Sequence, residues 1–223
     1  MANPAYATCD FDTETELRDL LKQVIGPAAT AAPQGEPLPA AAYADPDFYD
    51  LEVETIFLPG WIAVAHVSQP TADTPIFITL FGRSVRIDAA AEGFAATVLQ
   101  PGGGNPLRHE VVDGLIYVNL SGNAEPLAPQ VVGLSERLAK IRMDELVSAM
   151  ELEYTVPFNW KILVETFMEC YHHIAAHTST FEPSFPARLS KIEVGYPAWT
   201  SGYSRAHNTV PDDQITIGLP ALA

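Results

Sequence analysis

Acidic and imidazole side chains recur at close spacing in one segment of the chain. Glu165, Glu169 and His172 follow one another at intervals of four and three residues, and His177 comes five residues later. On a helix, side chains three or four residues apart lie on the same face, so the first three residues form one stripe. If this stripe is buried, each carboxylate needs a partner, and a bound cation would satisfy all of the polar groups together.

The spacing of His172 and His177 indicates where the helix has to change. Five residues correspond to a rotation of about 140° on an ideal helix, so a continuous helix would point the two imidazoles to different sides. We therefore expect the helix to loosen or end between them if both bind one ion. Two imidazoles, a carboxylate and open coordination positions suit Fe(II) and the activation of O2.

Other interpretations of these residues remain open. The pattern also resembles half of a di-iron site, although that site needs further Glu-x-x-His helices that this sequence does not offer. The segment could equally be a solvated helix end. Glu165 is either a group that supports the metal ligands or a capped, solvated acid. The remaining candidates are assigned structural roles: packing or surface for His173, a small buried apolar residue for Cys170, and structural roles for His66, His109 and His207.

The segments around this motif should form both helices and strands. Apolar residues at intervals of three and four predict a helix over 13–25, ended by Gly26 and Pro27, and a second helix over 45–58. A Pro- and Ala-rich linker separates the two. Short runs rich in β-branched and aromatic residues predict a strand at 61–67, three or four strands between 75 and 120, and a strand at 149–156.

Three further segments are assigned a local structure. The run PGGGNP at 101–106 lacks the Lys-Ser/Thr ending of a phosphate loop, so it is interpreted as a turn. A helix is expected in the first half of 134–150. Asn159 is a favourable N-cap for the helix that carries the Glu and His residues, and this helix continues without Gly or Pro.

Composition narrows the classes of partner and the location. The formal net charge of -16 and the absence of a Lys/Arg cluster exclude nucleic acid, and no apolar run is long enough to span a membrane. The first residues lack the pattern of a secretory signal, so a cytoplasmic location is expected. Of the two cysteines, Cys9 and Cys170, neither is expected to form a disulfide. Two thiols are also too few for a cluster with four thiolate ligands.

The motif NWKILVETFMECYHHIAAH resembles the α-subunits of Rieske-type ring-hydroxylating and N-demethylating oxygenases. The segments TFEPSFPA and YSRAH and the block that begins LPAAAYADPDFYDLE are also similar, so the likeness extends from Leu38 onward. The resemblance implies that His172 and His177 bind a mononuclear Fe(II). It also implies that Glu169 holds the position of the carboxylate that bridges electron transfer from a neighbouring Rieske cluster. Glu165 matches the polar position one turn earlier.

The sequence departs from this family at two points. About twenty residues without cysteine join the strands between which the family inserts its Rieske domain, so no [2Fe–2S] cluster is expected in this chain. The family's third iron ligand is a carboxylate on a later helix. Asp212 and Asp213 are the Asp residues that follow the motif here, yet their PDDQ context is typical of a turn.

The expected fold is α+β, an incomplete helix-grip (START-like) catalytic domain with a β remnant of the deleted Rieske domain. We expect an N-terminal helix and linker over 1–40, a residual N-terminal region over 41–150, and the partial catalytic domain with the iron helix over 151–223. Exposed sheet edges favour a homo- or hetero-oligomer.

Three functions follow from this interpretation. The first is an oxygenase component that hydroxylates or oxidatively demethylates a small organic substrate, using O2 and electrons from a separate Rieske-domain protein and its reductase. The second is a non-catalytic assembly partner or degenerate fragment. The third is a ligand-binding helix-grip module, which ranks last because it needs a complete sheet and a closing helix.

Overall fold

A computed structural model describes residues 13–28, 37–192 and 199–204. The interpretations of Cys9, His207, Asp212 and Asp213 concern residues outside these ranges. The first described element is α1, Thr13–Ala28, which packs its apolar stripe on the next two helices. The predicted end at Gly26 and Pro27 is wrong, since the helical backbone runs on to Ala28. A proline in the last turn removes one hydrogen bond near a terminus, which does not suffice to end the helix earlier.

The helix predicted over 45–58 is confirmed as a short α-helix followed by a π-helical turn, and a further short helix precedes it. Helix α2 spans Ala41–Ala44, and α3 spans Pro46–Glu52 and passes into a π-helical turn over Val53–Phe57. Asp45 caps α3 because its side chain accepts a hydrogen bond from the N–H of Phe48 at 2.8 Å. Proline at the first helical position has no N–H that would be left unpaired, so Pro46 suits this start.

A six-stranded antiparallel sheet forms the central core. Its strands occur in the order β1-β6-β5-β4-β3-β2. Five strands lie between residues 75 and 120, one more than the upper number predicted, because β5 begins inside the glycine run. The turn there is limited to Pro101 and Gly102. The strands are β1 Ile62–His66, β2 Ile76–Leu80, β3 Arg83–Ala90, β4 Gly93–Gln100, β5 Gly103–Val112 and β6 Leu115–Asn119.

Two tight turns and one buried face explain the register of this sheet. Phe81-Gly82 and Asp113-Gly114 have positive φ at both residues, the backbone of a two-residue hairpin turn. Alternate residues then point to one face, where the side chains of the core are fully buried. The most buried of these apolar residues are Val85, Ile87, Ile116 and Val118.

Beyond the sheet the chain is helical and then irregular. Helices α4, Leu127–Gln130, and α5, Val132–Leu138, are followed by 3-10 turns at Ala139–Ile141 and Met143–Glu145. The strand predicted over 149–156 is wrong, because these residues pair with no other strand in the described ranges. The alternating pattern is present, but a strand needs a hydrogen-bonded neighbour.

The last described elements carry the histidine motif. Helix α6 spans Trp160–Phe167 and α7 spans Tyr171–Ala176, followed by a 3-10 turn at Ala187–Leu189. The short strands β7, Ser190–Ile192, and β8, Gly202–Ser204, form a separate antiparallel pair. The mixture of helices and antiparallel strands confirms the α+β class. No helix in the described ranges is long and apolar enough to cross a membrane.

Candidate metal centre

The helix that bears the motif begins as the sequence predicts. The side chain of Asn159 accepts a hydrogen bond from the N–H of Lys161 at 3.0 Å, so Asn159 is the N-cap of α6. The helix ends earlier than expected, however, because the backbone leaves the α-helix at Met168 and α7 starts at Tyr171. The predicted stripe from Glu165 to His172 is therefore not continuous, and the two glutamates belong to separate segments.

Glu169 lies in this break and hydrogen-bonds to the following helix with both carboxylate oxygens. Its Oε1 lies 2.7 Å from Nδ1 of His172. Its Oε2 accepts hydrogen bonds from the N–H groups of Tyr171 and His172, the latter at 3.3 Å. Desolvation acts to raise the pKa of Glu169, but the hydrogen bonds from the His172 ring and from the two N–H groups together hold that pKa below its usual value. Glu169 therefore orients the ring of His172 while it is itself ionised.

The imidazole of His172 is left with one nitrogen for another partner. When Nδ1 carries the ring proton and donates a hydrogen bond to Glu169, the lone pair of Nε2 is available to bind a metal ion. The ring is one-quarter exposed, so a metal ion and small molecules can reach it. This arrangement, carboxylate to imidazole to metal, is the usual way in which proteins orient a histidine ligand.

His177 lies at the end of α7 and completes a pair of imidazoles. The helix ends at this residue, as the sequence predicts for two histidines that bind one ion. The ring centroids of His172 and His177 are 5.6 Å apart. A ligating nitrogen lies about 2.1 Å from a first-row metal ion, so two rings on one ion have centroids at most about 6.4 Å apart. The separation of the two rings is thus within the range that one shared metal ion would allow.

His173 is a packing residue, as expected from the sequence. Its side chain is buried, its Nδ1 lies 3.2 Å from the carbonyl oxygen of Phe185, and its ring packs edge-on against Phe181. The spacing of the histidines in the sequence did not predict that this ring lies beside His172. The centroids of the two rings are 4.6 Å apart. His173 thus packs edge-on against the ring of His172.

Glu165 lies away from the imidazoles and contacts a different partner. Its Oε1 accepts a hydrogen bond from the hydroxyl of Tyr43 at 2.6 Å. Burial of the hydroxyl, and then its hydrogen bond to Glu165, raises the pKa of Tyr43 to about 12. Tyr43 is a residue that sequence reasoning missed, because no spacing links two positions 122 residues apart.

A cavity of about 530 Å³ opens beside the imidazoles. Residues of the β7–β8 pair also line it. In the described residues no group of three His, Cys, Asp or Glu side chains is placed to hold a metal ion. The cavity is lined mainly by aromatic and apolar groups, among them Phe167, Phe181, Ile192 and Tyr203.

Comparison with known proteins identifies the class. Residues 143–217 match the family model of the ring hydroxylating alpha subunit, catalytic domain. Together with the fold and the histidine motif, this match shows that part of the chain is similar to the catalytic domain of Rieske oxygenase α-subunits.

The individual relatives are oxygenase subunits of carnitine monooxygenases. The chain is 35% identical over 74 residues to that of Acinetobacter baumannii, a match covering 32% of this chain and 20% of the relative. It is 24% identical over 194 residues to that of Escherichia coli K12, covering 63% of this chain and 52% of the relative. The chain thus spans about half the length of this relative.

Solved structures support the fold. A quaternary ammonium Rieske monooxygenase superposes with a TM-score of 0.66 and 22% identity, covering 74% of this chain and 60% of that one. Naphthalene 1,2-dioxygenase from Rhodococcus sp. bound to indole gives a TM-score of 0.60 and 15% identity, covering 82% and 56%. The partial, barrel-like sheet is consistent with the incomplete helix-grip fold expected from the sequence.

Proposed function

We propose that this chain is the mononuclear-iron component of a Rieske-type oxygenase, with His172 and His177 as iron ligands. One observation carries the proposal. The carboxylate of Glu169 lies 2.7 Å from Nδ1 of His172, and the ring of His177 lies 5.6 Å from that of His172, centroid to centroid. Non-haem Fe(II) oxygenases bind the metal with two imidazoles and one carboxylate and leave positions open, and the oriented pair of imidazoles supplies two of these three donors.

The side chains around the site have separable tasks. Glu169 holds the proton of the His172 ring on Nδ1 and keeps the ring in one orientation. The aromatic side chains that line the cavity would pack against a small organic substrate. Fe(II), when bound, would supply the coordination positions at which O2 reacts. By the family resemblance, Glu169 would also bridge electron transfer from the cluster of a separate Rieske protein, itself reduced by a reductase.

The substrate class follows from the relatives and from the cavity. The relatives named above act on carnitine, and a structural neighbour is named for quaternary ammonium compounds. The aromatic faces of Phe167, Phe181 and Tyr203 at the cavity can pack against alkyl groups or a substituted ammonium. We therefore propose O2-dependent hydroxylation or oxidative demethylation of a small organic substrate.

Anaerobic metal binding tests this proposal. We expect about one Fe(II) per chain, with weaker binding after either His172→Ala or His177→Ala, because each change removes one of two described donors. His109→Ala is the matched control, since the His109 ring contacts the carbonyl of Leu107 within the sheet. Folded protein that binds no Fe(II), or binds it equally after all three substitutions, would contradict the proposal.

A second candidate function is a non-catalytic assembly partner. It is favoured by an exposed apolar row, defined as Met150, Leu152, Tyr154, Val156 and Phe158, whose exposed fractions range from 43% to 75%. Apolar surface of this kind is typical of protein contacts. Protein that forms stable complexes through this row, yet binds no Fe(II), would favour this second function over the first.

A further inference from the structure

The iron-site helix α6 has one buried residue, and that residue is a lysine. Lys161 is 7% exposed, and its ammonium lies 2.6 and 2.7 Å from the two carboxylate oxygens of Glu52 on α3. The side chains of this pair are 9% and 7% exposed. By contrast, the apolar side chains of Ile162, Leu163 and Phe167 on the same helix are 41% to 75% exposed. Within the described ranges, α6 is therefore anchored by a charge rather than by an apolar face.

Aromatic rings enclose this buried ion pair. The ammonium of Lys161 lies 5.2 Å from the ring centroid of Trp160, 5.5 Å from that of Phe48 and 5.6 Å from that of Tyr43. A cation within about 6 Å of a ring face is attracted by the ring's negative charge density. The indole N–H of Trp160 also donates to Oε2 of Glu52 at 3.0 Å. The environment thus specifies a cation at position 161 and an anion at position 52.

A second contact lies one helical turn further along α6. The hydroxyl of Tyr43, on α2, donates to Glu165 at 2.6 Å. Residues four apart on a helix lie one above the other on the same face. Two polar contacts on that face fix the rotation of α6 about its axis, which a single contact or a smooth apolar surface would leave less defined.

We propose that Glu52 and Tyr43 are positioning residues that set the rotation of α6 and thereby present Glu169 and His172 for metal binding. The proposal rests on the proposed function, since the metal site is what the rotation serves. Only the break at 168–170 separates the end of α6 from α7, so a rotated α6 would displace both the carboxylate and the imidazole. Buried ion pairs contribute little net stability compared with apolar pairs, and specificity of arrangement is one reason for them.

The double variant E52Q/K161M separates orientation from stability. It removes both charges together, and the side-chain amide introduced at position 52 can still accept a hydrogen bond from the indole N–H of Trp160. The variant should remain folded, because no unpaired charge is left buried. We expect its affinity for Co(II), measured by ligand-field absorption, to fall about tenfold, the lower limit for loss of a group that orients a ligand. Amide hydrogen exchange of 161–167 in metal-free protein should also become faster.

The control applies the same chemistry to an exposed ion pair. D19N/K22M removes the Asp19–Lys22 pair of α1, whose side chains are 57% and 69% exposed. We expect this control to leave Co(II) affinity and exchange over 161–167 unchanged. If E52Q/K161M behaves like the control, the positioning role is refuted.

Two further outcomes are informative. If the wild-type protein binds no Co(II), the proposed function fails, while exchange over 161–167 still decides whether the two contacts hold α6. If E52Q/K161M does not fold, Y43F replaces it, because phenylalanine keeps the ring and loses only the bond to Glu165. Y43F should then weaken Co(II) binding in folded protein, and unchanged affinity and exchange would refute the proposal.

Discussion

Replacement of Glu169 should weaken metal binding, because this carboxylate orients the ring of His172. Glu169 uses one oxygen for the ring of His172 and the other for two backbone N–H groups at the start of α7. Glu169→Ala removes these contacts together. Groups that orient a ligand in this way typically contribute about 10- to 100-fold to metal affinity, so we expect a loss in that range.

Glu169→Gln should have an intermediate effect. An amide replaces one acceptor oxygen by a donor NH2 group, so it cannot accept from both the imidazole and the backbone. We expect a loss of affinity of about tenfold, at the lower end of the range for alanine. At saturating iron the site should still fill. In a pair reconstituted with a Rieske protein, loss of the charge should slow reoxidation of the reduced cluster.

Anaerobic calorimetric titration with Fe(II) measures these affinities. Glu92→Ala and Glu92→Gln are the matched controls, since that carboxylate is exposed in the turn between β3 and β4, away from the imidazoles. The controls should bind iron more tightly than the corresponding Glu169 variants. Equal affinities for the two series would refute the assignment of Glu169 as the group that orients His172. Complete loss of iron in Glu169→Gln would instead identify Glu169 as a ligand.

Three more predictions concern the framework around the site. Asn119→Ala should lower the free energy of unfolding by about 1–3 kcal/mol in urea titrations, because the buried amide donates to the carbonyls of residues 58, 59 and 60. Asn159→Ala should cost about 1 kcal/mol in the same assay, since it removes the N-cap of α6. Tyr43→Phe should remove the tyrosine that ionises near pH 12 in an ultraviolet titration. Because the raised pKa favours the neutral phenol in the folded state, its stabilising effect is complete below about pH 10 and is lost as the pH rises through about 12.

Local signals in the sequence predicted the parts of the site that depend on neighbours in the chain. The cap at Asn159 follows from the type of that one residue, and it is confirmed. The end of the helix before His177 was expected only from the geometry of two histidines on one ion, and the helix does end there. The break at 168–170 could not be predicted in this way, because no glycine or proline lies there. It is accompanied by the hydrogen bonds of Glu169, which a periodic pattern does not reveal.

Local sequence patterns could not predict contacts between residues that are far apart in the chain. Glu52 and Lys161 are separated by 109 residues and Tyr43 and Glu165 by 122, and each of these residues alone is consistent with an ordinary surface position. The strand expected over 149–156 failed for a related reason. Alternation specifies which side chains share a face, but a strand forms only when another segment supplies backbone partners.

The exposed apolar row has a consequence for how the protein behaves in concentrated solution. Five apolar side chains at alternate positions of the sequence resemble the segments that stack into intermolecular sheets. Glu151 and Glu153 occupy positions on the opposite face of the same segment. In an in-register stack, these carboxylates would lie about 4.8 Å above one another and repel. They therefore act as gatekeepers against self-association, and acidification or high salt, which weakens this repulsion, should favour aggregation through the row.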